Sequence, residues 1–208
     1  MNVEQAYNQW AAQYDTNENK TRDLEKKVLR DTLSNLSFQK ILEIGCGTGK
    51  NTEWLIQKAA SVTSVDFSEE MLAKAKEKIK NNNVRFQQAD ITQPWSFAEG
   101  LYDLVSFSLV LEHIKDLGFI FQQINKVLQT GGHVYIGELH PFKQYAGSKA
   151  RFTDGETEIV TDCYTHHISE FIQTAKKNGL VPVDVNEYFD DDDTNGMPRI
   201  LCLILQKS

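Results

Sequence analysis

From residue 40 onward, short apolar runs alternate with stretches whose apolar positions recur every three or four residues. The apolar runs are six or seven residues long and rich in β-branched side chains, which predicts buried strands. They span residues 40–45, 61–66, 84–89, 102–107 and 133–139. The repeated order of strand, helix and strand predicts right-handed crossovers and a doubly wound α/β fold, with a parallel sheet covered on both faces.

Two of the helical stretches between these strands have clear start signals. One apolar stripe covers residues 71–79, and Ser68 precedes it as a candidate N-cap. A stronger stripe covers residues 117–128 after Asp116, a second candidate N-cap. The pair Gly131–Gly132 is predicted to end this second helix.

The last third of the chain follows a different pattern. Residues 140–165 lack a sustained period and are predicted to be an insertion or lid after strand five. Residues 168–177 predict a helix, and residues 181–188 and 200–206 predict two strands that form an antiparallel pair. Nothing in the length requires a second domain, so we expect residues 1–208 to form one.

The most informative segment is Glu43–Gly49 (EIGCGTG), which closes the first strand and opens a helix. Glycines there permit positive φ and let a ligand approach the backbone, beside unpaired N–H groups of the following helix. The dinucleotide pattern G-x-G-x-x-G fails, because its third glycine would fall on Lys50. The phosphate loop of nucleotide triphosphatases fails as well, because Ile44 replaces its first glycine and Asn51 its hydroxyl residue.

The pattern that fits is E-x-G-x-G-x-G, which resembles the first motif of class I S-adenosylmethionine-dependent methyltransferases. Further landmarks follow in the family's order, namely Asp66, Asp90, Phe107–Leu109 and Gln129–Gly132. The resemblance implies a Rossmann-like, seven-stranded sheet, a lid helix within residues 1–35, and S-adenosyl-L-methionine as cofactor, with S-adenosyl-L-homocysteine as product. The cofactor contacts expected from it are Tyr14, Glu43, Gly45, Cys46, Gly47, Asp66, Phe67, Met71, Asp90, Ile91 and Ser108.

The resemblance assigns Asp66 to both ribose hydroxyls and Asp90 to the adenine amino group. Each residue follows a strand, where ligands of open α/β sheets bind, and a carboxylate can accept two hydrogen bonds. Structural alternatives stay open for both: Asp66 could serve only as an acid at a helix N-terminus, and Asp90 could only cap a turn. Glu43 could be a packed polar residue below the glycine loop.

The methyl acceptor is expected between the N-terminal helix and the segment after strand five. Tyr7, Trp10 and Tyr14 share one helical face and resemble the family's N-terminal helix, although an aromatic stripe can also simply dock on the sheet. The predicted substrate contacts are Tyr7, Trp10, His140, Tyr145 and Arg151. The segment after strand five also carries Lys149, and its mixture of aromatic and cationic groups suits a planar or anionic acceptor.

His140 is the best candidate for a catalytic base, because it follows a strand end that opens onto the pocket. His166 and His167 are weaker candidates, and His113 is expected to start a helix. No universal catalytic residue is implied, since transfer from a sulfonium mainly requires nucleophile, methyl and sulfur to be held in line.

Composition and charge restrict the classes of ligand and partner that this chain is expected to bind. The formal net charge of −7 disfavours a nucleic-acid target, and 40% hydrophobic residues are typical of a globular chain. The three cysteines are too dispersed for a zinc site, and the acidic run Asp190–Asp193 is expected to be a solvated loop, so we expect no metal. Because no apolar run reaches membrane-spanning length, we expect a cytoplasmic protein. We also expect it to be a monomer or a homodimer.

These features predict a methyltransferase acting on an oxygen or nitrogen atom of a small molecule. The sequence leaves two alternatives open. One is a regulatory protein that binds S-adenosylmethionine without catalysis, and the other is a nicotinamide-dependent oxidoreductase on a similar sheet. Binding of the two cofactors would separate the oxidoreductase from the rest.

Overall fold

The computed structural model describes residues 2–154 and 157–208. The α-helices within them are α1 (Val3–Trp10), α2 (Lys20–Leu33), α3 (Thr52–Leu55), α4 (Glu69–Lys78), α5 (Leu117–Val127), α6 (Pro141–Tyr145) and α7 (Ile168–Lys177). The strands are β1 (Lys40–Ile44), β2 (Ser61–Asp66), β3 (Val84–Gln88), β4 (Tyr102–Ser108), β5 (Leu128–Leu139), β6 (Arg151–Asp154), β7 (Thr157–Val160), β8 (Leu180–Tyr188) and β9 (Ile200–Lys207).

Seven strands form one sheet in the order β3-β2-β1-β4-β5-β9-β8. Strands β1 to β5 run parallel, whereas β9 is antiparallel to β5 and β8 is antiparallel to β9. This arrangement confirms the predicted doubly wound, mostly parallel sheet with a C-terminal antiparallel pair. The strand order reverses between β1 and β4, so their carboxyl ends border the crevice where open α/β sheets bind ligands.

Each face of the sheet packs against its own apolar cluster. On one face, Phe121 of α5 and Phe171 of α7 pack with Phe107 of β4. On the other face, Leu29 of α2 packs with Leu104 of β4. Neighbouring residues of a strand point to opposite faces, and burial on both faces is why the strand sequences read as nearly continuous apolar runs.

The predicted N-caps are confirmed. The Ser68 hydroxyl accepts a hydrogen bond from the Met71 amide (3.1 Å), and the Asp116 carboxylate accepts from the amides of Gly118 (2.9 Å) and Phe119 (3.2 Å). Each cap satisfies amides that the first turn of a helix leaves without partners.

The predicted end of the helix at Gly131–Gly132 is wrong. Helix α5 ends at Val127, and β5 begins one residue later. Leu128 pairs with Tyr102 of β4, and both glycines lie within the register shift that follows this pair. Pairing with β4 therefore ends the helix early, and the glycines accommodate an irregular stretch of strand instead.

The N-terminal region forms two helices rather than one continuous helix. Helix α1 packs through Ala6 and Trp10 on Met71 of α4, so it lies over the carboxyl end of the sheet. Helix α2 instead buries Val28 and Leu29 against the sheet itself. Helix α1 and the turn after it are therefore placed over the carboxyl ends of the strands, and the rest of α2 beyond its first turn is not.

Residues 140–165 contain the short helix α6 and an antiparallel pairing of β6 with β7. Residues 155 and 156 of this predicted lid lie outside the described residues.

In the loop between β8 and β9, Asp191 to Asp193 are exposed as expected, but Asp190 forms an ion pair with Arg199. No helix in the described part of the chain has the length and apolar character needed to cross a membrane.

Replacing Asp116 with alanine should lower the free energy of unfolding by about 1 kcal/mol, because the variant loses both cap hydrogen bonds to α5. Denaturant titration monitored by circular dichroism measures the change. Asp116→Asn is the matched control, since it keeps a side-chain oxygen at the cap. Equal stability of the alanine variant and wild type would show that the cap contributes nothing.

Candidate functional site

A cavity of about 340 Å³ opens at the carboxyl ends of β1, β2, β3 and β4. Its sequence-predicted lining residues are Tyr7, Tyr14, Gly45, Gly47, Asp66, Phe67, Asp90, Ile91 and Ser108. Other lining residues include Ser68, Leu109, Val110, His113, Asp162 and Tyr164. We call this space the first cavity. It brings together residues that lie far apart in the sequence, as expected for a crevice where the strand order reverses.

The glycine loop after β1 forms one wall of the first cavity. Gly45 has φ 72°, and a Cβ added there would lie 2.1 Å from a side-chain carbon of Val110. Gly47 has φ 53°, and its added Cβ would meet only the Tyr14 ring at 4.0 Å. Gly45 is therefore required by packing, whereas Gly47 has positive φ and open space on the cavity side.

The Asp66 carboxylate connects this loop to β2. It accepts hydrogen bonds from the amides of Gly47 (2.7 Å) and Ser68 (2.9 Å). Burial raises the pKa of Asp66, while the two amide hydrogen bonds act in the opposite direction. A carboxylate has about four acceptor positions, so about two of them remain for a ligand in the cavity.

Asp90 and Ser108 border the first cavity from β3 and β4. One carboxylate oxygen of Asp90 accepts from the amide (2.9 Å) and hydroxyl (2.7 Å) of Thr92, which is the turn-capping role left open by the sequence. Its other oxygen makes no hydrogen bond to a described residue, so Asp90 can cap the turn and still accept from a ligand. The Ser108 hydroxyl accepts from the Asn51 amide group (3.2 Å).

Glu43 does not line the cavity and lies beneath the glycine loop. Its carboxylate accepts from the hydroxyls of Thr52 (2.6 Å) and Ser64 (2.7 Å). Burial raises the pKa of Glu43 to about 7, although both hydroxyl hydrogen bonds oppose the shift. The residue joins the start of α3 to β2, so the structure favours the packed polar role over a direct cofactor contact.

Cys46 and Met71 were predicted to contact the cofactor, and the structure places neither side chain in the cavity lining. Cys46 is buried, and burial raises the pKa of its thiol well above the usual range. Met71 is fully buried against Ala6 and Trp10 of α1. Both positions follow cavity residues closely in the sequence, but their side chains point into packed regions instead.

The N-terminal aromatic residues form a connected cluster. The ring centroids of Trp10 and Tyr14 are 4.8 Å apart, and those of Tyr7 and Trp10 are 5.6 Å apart. Tyr7 and Tyr14 line the first cavity, whereas Trp10 does not. Part of this stripe therefore packs, and part of it faces the site.

A second cavity of about 350 Å³ lies beside the first and shares Tyr7, Tyr14 and Leu109 with it. Its other lining residues are Trp10, Asn19, Lys20, Thr21, Arg22, Glu112, Leu139, Ser148, Lys149, Ala150, Arg151 and Arg199. The predicted substrate residues Trp10 and Arg151 are among them. Tyr145 lines neither cavity, because its exposed ring turns to His167, with 2.5 Å between the hydroxyl and Nδ1.

His140, the predicted base, lines neither cavity and serves as the N-cap of α6. Its Nδ1 accepts from the Phe142 amide (3.1 Å), so the neutral ring carries its proton on Nε2, which lies 2.8 Å from the Glu187 carboxylate. Burial lowers the pKa of His140, while Glu187 opposes that shift. The position after a strand end did suggest a site residue, but the turn into α6 directs the ring away from the crevice.

His113, which the sequence placed at the start of a helix, lines the first cavity at the end of a short 3-10 turn. Its Nδ1 lies 3.0 Å from the Asp162 carbonyl oxygen, and its Nε2 lies 2.9 Å from the Tyr7 hydroxyl. Because a carbonyl oxygen only accepts, the neutral ring carries its proton on Nδ1 and accepts at Nε2. The only available sequence signal was its position just after β4.

Glu138 fixes the turn that carries His113. One carboxylate oxygen accepts from the amides of Val110 (2.9 Å) and Leu111 (2.8 Å), and the other is buried without a hydrogen-bond partner among the described residues. Burial raises the pKa of Glu138 to about 8, and nearby Glu112 adds to the shift. The structure thus uses a buried acid to position the chain after β4.

Comparison with known proteins agrees with this architecture. Residues 42–136 match a family described as the methyltransferase domain. The chain is 27% identical over 225 residues to an uncharacterized methyltransferase of Emericella nidulans, covering 88% of this chain and 77% of that protein. It is 30% identical over 112 residues to the ubiquinone biosynthesis O-methyltransferase of Pseudomonas aeruginosa, covering 53% of this chain and only 48% of that enzyme.

A solved structure shares the whole fold. The N-methyltransferase NodS of Bradyrhizobium japonicum, in complex with S-adenosyl-L-homocysteine, superimposes with a TM-score of 0.74 at 20% identity. The match covers 100% of this chain and 99% of that one.

The raised pKa of Glu138 predicts a pH-dependent stability. Below pH 4.5, the ordinary pKa of a glutamate, the Glu138 carboxyl is protonated in both the folded and the unfolded chain. Between pH 4.5 and about 8 it is ionised only in the unfolded chain. The free energy of unfolding should therefore fall as the pH rises through this window. Glu138→Gln lacks this titration, so the wild type should lose on the order of 2 kcal/mol relative to the variant from pH 5 to 8.5.

Denaturant titrations of both proteins at several pH values test this expectation. Glu25 and Glu43 are present in both wild type and Glu138→Gln. Their contributions therefore cancel when the free energies of unfolding of the two proteins are subtracted. Glu53→Gln, a variant of an exposed residue on α3, is the matched control and should give a flat difference. A flat difference for Glu138→Gln as well would contradict the raised pKa.

Proposed function

We propose that this chain, whose residues 42–136 match the methyltransferase domain family, uses S-adenosylmethionine to methylate an oxygen or nitrogen atom of a small molecule. The observation that carries the proposal is the junction of the two cavities, which share Tyr7, Tyr14 and Leu109. A methyl donor in the first cavity would lie beside a pocket of about 350 Å³, a volume that suits a small molecule. One relative is named an O-methyltransferase and one structural neighbour an N-methyltransferase, in keeping with both acceptor atoms.

The first cavity fits the cofactor. Asp66 has acceptor positions for the ribose hydroxyls, and one free oxygen of Asp90 could accept from the adenine amino group. Phe67 and Ile91 supply apolar surface, and Gly45 and Gly47 admit a ligand close to the backbone. These roles are those that the resemblance implied.

S-adenosylmethionine supplies an electrophilic methyl group on a sulfonium, from which a neutral thioether departs. The protein has to align the acceptor with that methyl group and exclude water. Tyr7 and Tyr14, held by the aromatic cluster of α1 and its following turn, close the junction between the cavities. We propose that the chain forms a single domain. Two of its segments, one within residues 1–35 and one within residues 140–165, would together cover the bound cofactor and acceptor.

His113 provides a destination for a proton from the acceptor. Burial raises the pKa of Tyr7, so its hydroxyl stays protonated and donates to Nε2 of His113. As an acceptor hydroxyl or amine loses its proton, the Tyr7 oxygen can take that proton while its own passes to Nε2. The resulting imidazolium is stabilised by the Asp162 carbonyl oxygen, to which Nδ1 donates.

Asp66→Ala should weaken binding of S-adenosylhomocysteine at least about tenfold, since each lost charge-assisted hydrogen bond contributes roughly 1.5–3 kcal/mol. Isothermal titration calorimetry measures the affinity, and a thermal melt verifies that the variant folds. Asp184→Ala, which removes an exposed acid on β8, is the matched control. Unchanged affinity in Asp66→Ala would show that the ribose does not bind there.

His113→Ala should lower kcat about a hundredfold while the affinity for S-adenosylhomocysteine stays within about threefold. The assay follows formation of S-adenosylhomocysteine with the best acceptor from a panel of phenols, carboxylic acids and amines. Added imidazole should restore part of the rate, a response that a purely structural role would not give. His133→Ala serves as the control, and undiminished turnover in His113→Ala would refute the proton-acceptor role.

A further inference from the structure

The second cavity combines aromatic and cationic side chains in a chain whose formal net charge is −7. Among the described residues, five cationic ones line it, against one acidic residue, Glu112. Burial raises the pKa of Glu112, which favours its neutral form. The electrostatic character of this pocket is therefore opposite to that of the chain as a whole.

Arg22 is the most informative of these cations. Its two terminal nitrogens donate to the carbonyl oxygens of Tyr14 (2.6 Å) and Asn17 (2.9 Å), and its Nε is buried without a partner among the described residues. The guanidinium carbon lies 4.0 Å from the Tyr14 ring centroid and 5.3 Å from that of Trp10. No carboxylate of a described residue forms a direct ion pair with it, and Asp15 and Asp23 interact with its charge only from beyond ion-pair distance.

The other cations differ in how far they are already neutralised. Arg199 is bound by both carboxylate oxygens of Asp190. Lys149, in contrast, makes no hydrogen bond or ion pair with another described residue, and it projects from the segment before β6. Arg22 and Lys149 therefore carry positive charge at this pocket that no described carboxylate neutralises through a direct ion pair.

We propose that the second cavity binds the anionic group of the methyl acceptor, a compact carboxylate or phosphate-like oxyanion on a small aromatic body. Arg22 and Lys149 would provide the counter-charge, while Trp10 and Tyr14 would pack against the body. This inference rests on the proposed function, because it places the nucleophilic end of the acceptor at the junction with the first cavity. Arg22 lines the second cavity and not the first, which favours the acceptor over the cofactor carboxylate as its ligand.

The test uses the full chain saturated with S-adenosylhomocysteine and titrated with benzoate, phenylphosphonate and uncharged benzamide. Both anions should bind at least about tenfold more tightly than benzamide, and added salt should reduce the difference. Lys149→Gln should weaken anion binding roughly threefold to fivefold, and Arg22→Gln more than about tenfold. Lys149→Gln should not change the affinity for S-adenosylhomocysteine more than about twofold, because Lys149 does not line the first cavity.

Lys176→Gln is the matched control, because it removes the same charge from an exposed position on α7 and should leave all affinities unchanged. If Arg22→Gln does not fold, Lys149→Gln alone still tests the proposal. Benzamide binding as tightly as benzoate, no binding of either anion, or a loss of S-adenosylhomocysteine affinity in the lysine variant would each overturn it. Failure of the proposed function is distinguishable, since the wild type would then bind the anions yet methylate no small molecule.

Discussion

The hydrogen bond from the Gly47 amide to the buried Asp66 carboxylate is the contact on which the site depends. It ties the loop after β1 to the end of β2, and the same carboxylate caps the amide of Ser68 before α4. Because Val110 packs over Gly45, the loop can follow this path only without a side chain there. One carboxylate thus sets the shape of this wall of the first cavity, and Asp66 itself lines that cavity.

Buried acids play the same joining role elsewhere under the strand ends. Glu43 links α3 to β2, and Glu138 holds the turn after β4. Glu25 links α2 to the Tyr135 hydroxyl of β5 (3.0 Å) and to Asn51 (3.1 Å), and burial raises its pKa to about 7. Glu138 satisfies backbone amides after β4, whereas Glu25 and Glu43 accept from side-chain donors. Each of these acids carries a carboxyl group whose ionisation disfavours the folded state.

The two cavities are built in different ways. Most of the first cavity is lined by strand ends and short turns of the central sheet, so its geometry is set largely by strand pairing. The second cavity is lined mainly by α1, the start of α2 and the segment before β6, together with Leu109 after β4 and Leu139 at the end of β5. Segments outside a central sheet tolerate sequence change more readily than its strands, so we expect such changes to alter the second cavity more than the first.

The sequence by itself determined the elements whose signals are local. The strand runs, the caps at Ser68 and Asp116, the glycine loop and Asp66 were all predicted, because periodicity, capping and positive φ depend on neighbouring residues. The order of strands and helices predicted the sheet class, and the resemblance to class I methyltransferases implied the cofactor. Of the predicted cofactor contacts, most line the first cavity, and Glu43, Cys46 and Met71 do not.

Only the tertiary structure decided which side chains face the site. His140 and His113 both follow strand ends, but the start of α6 turns the first away, and the hydrogen bonds of Glu138 direct the turn that presents the second. Arg22 came without a sequence signal, because its place under Tyr14 depends on the break between α1 and α2. Side-chain direction at the end of an element is set by contacts between distant segments, and these contacts are absent from any local pattern.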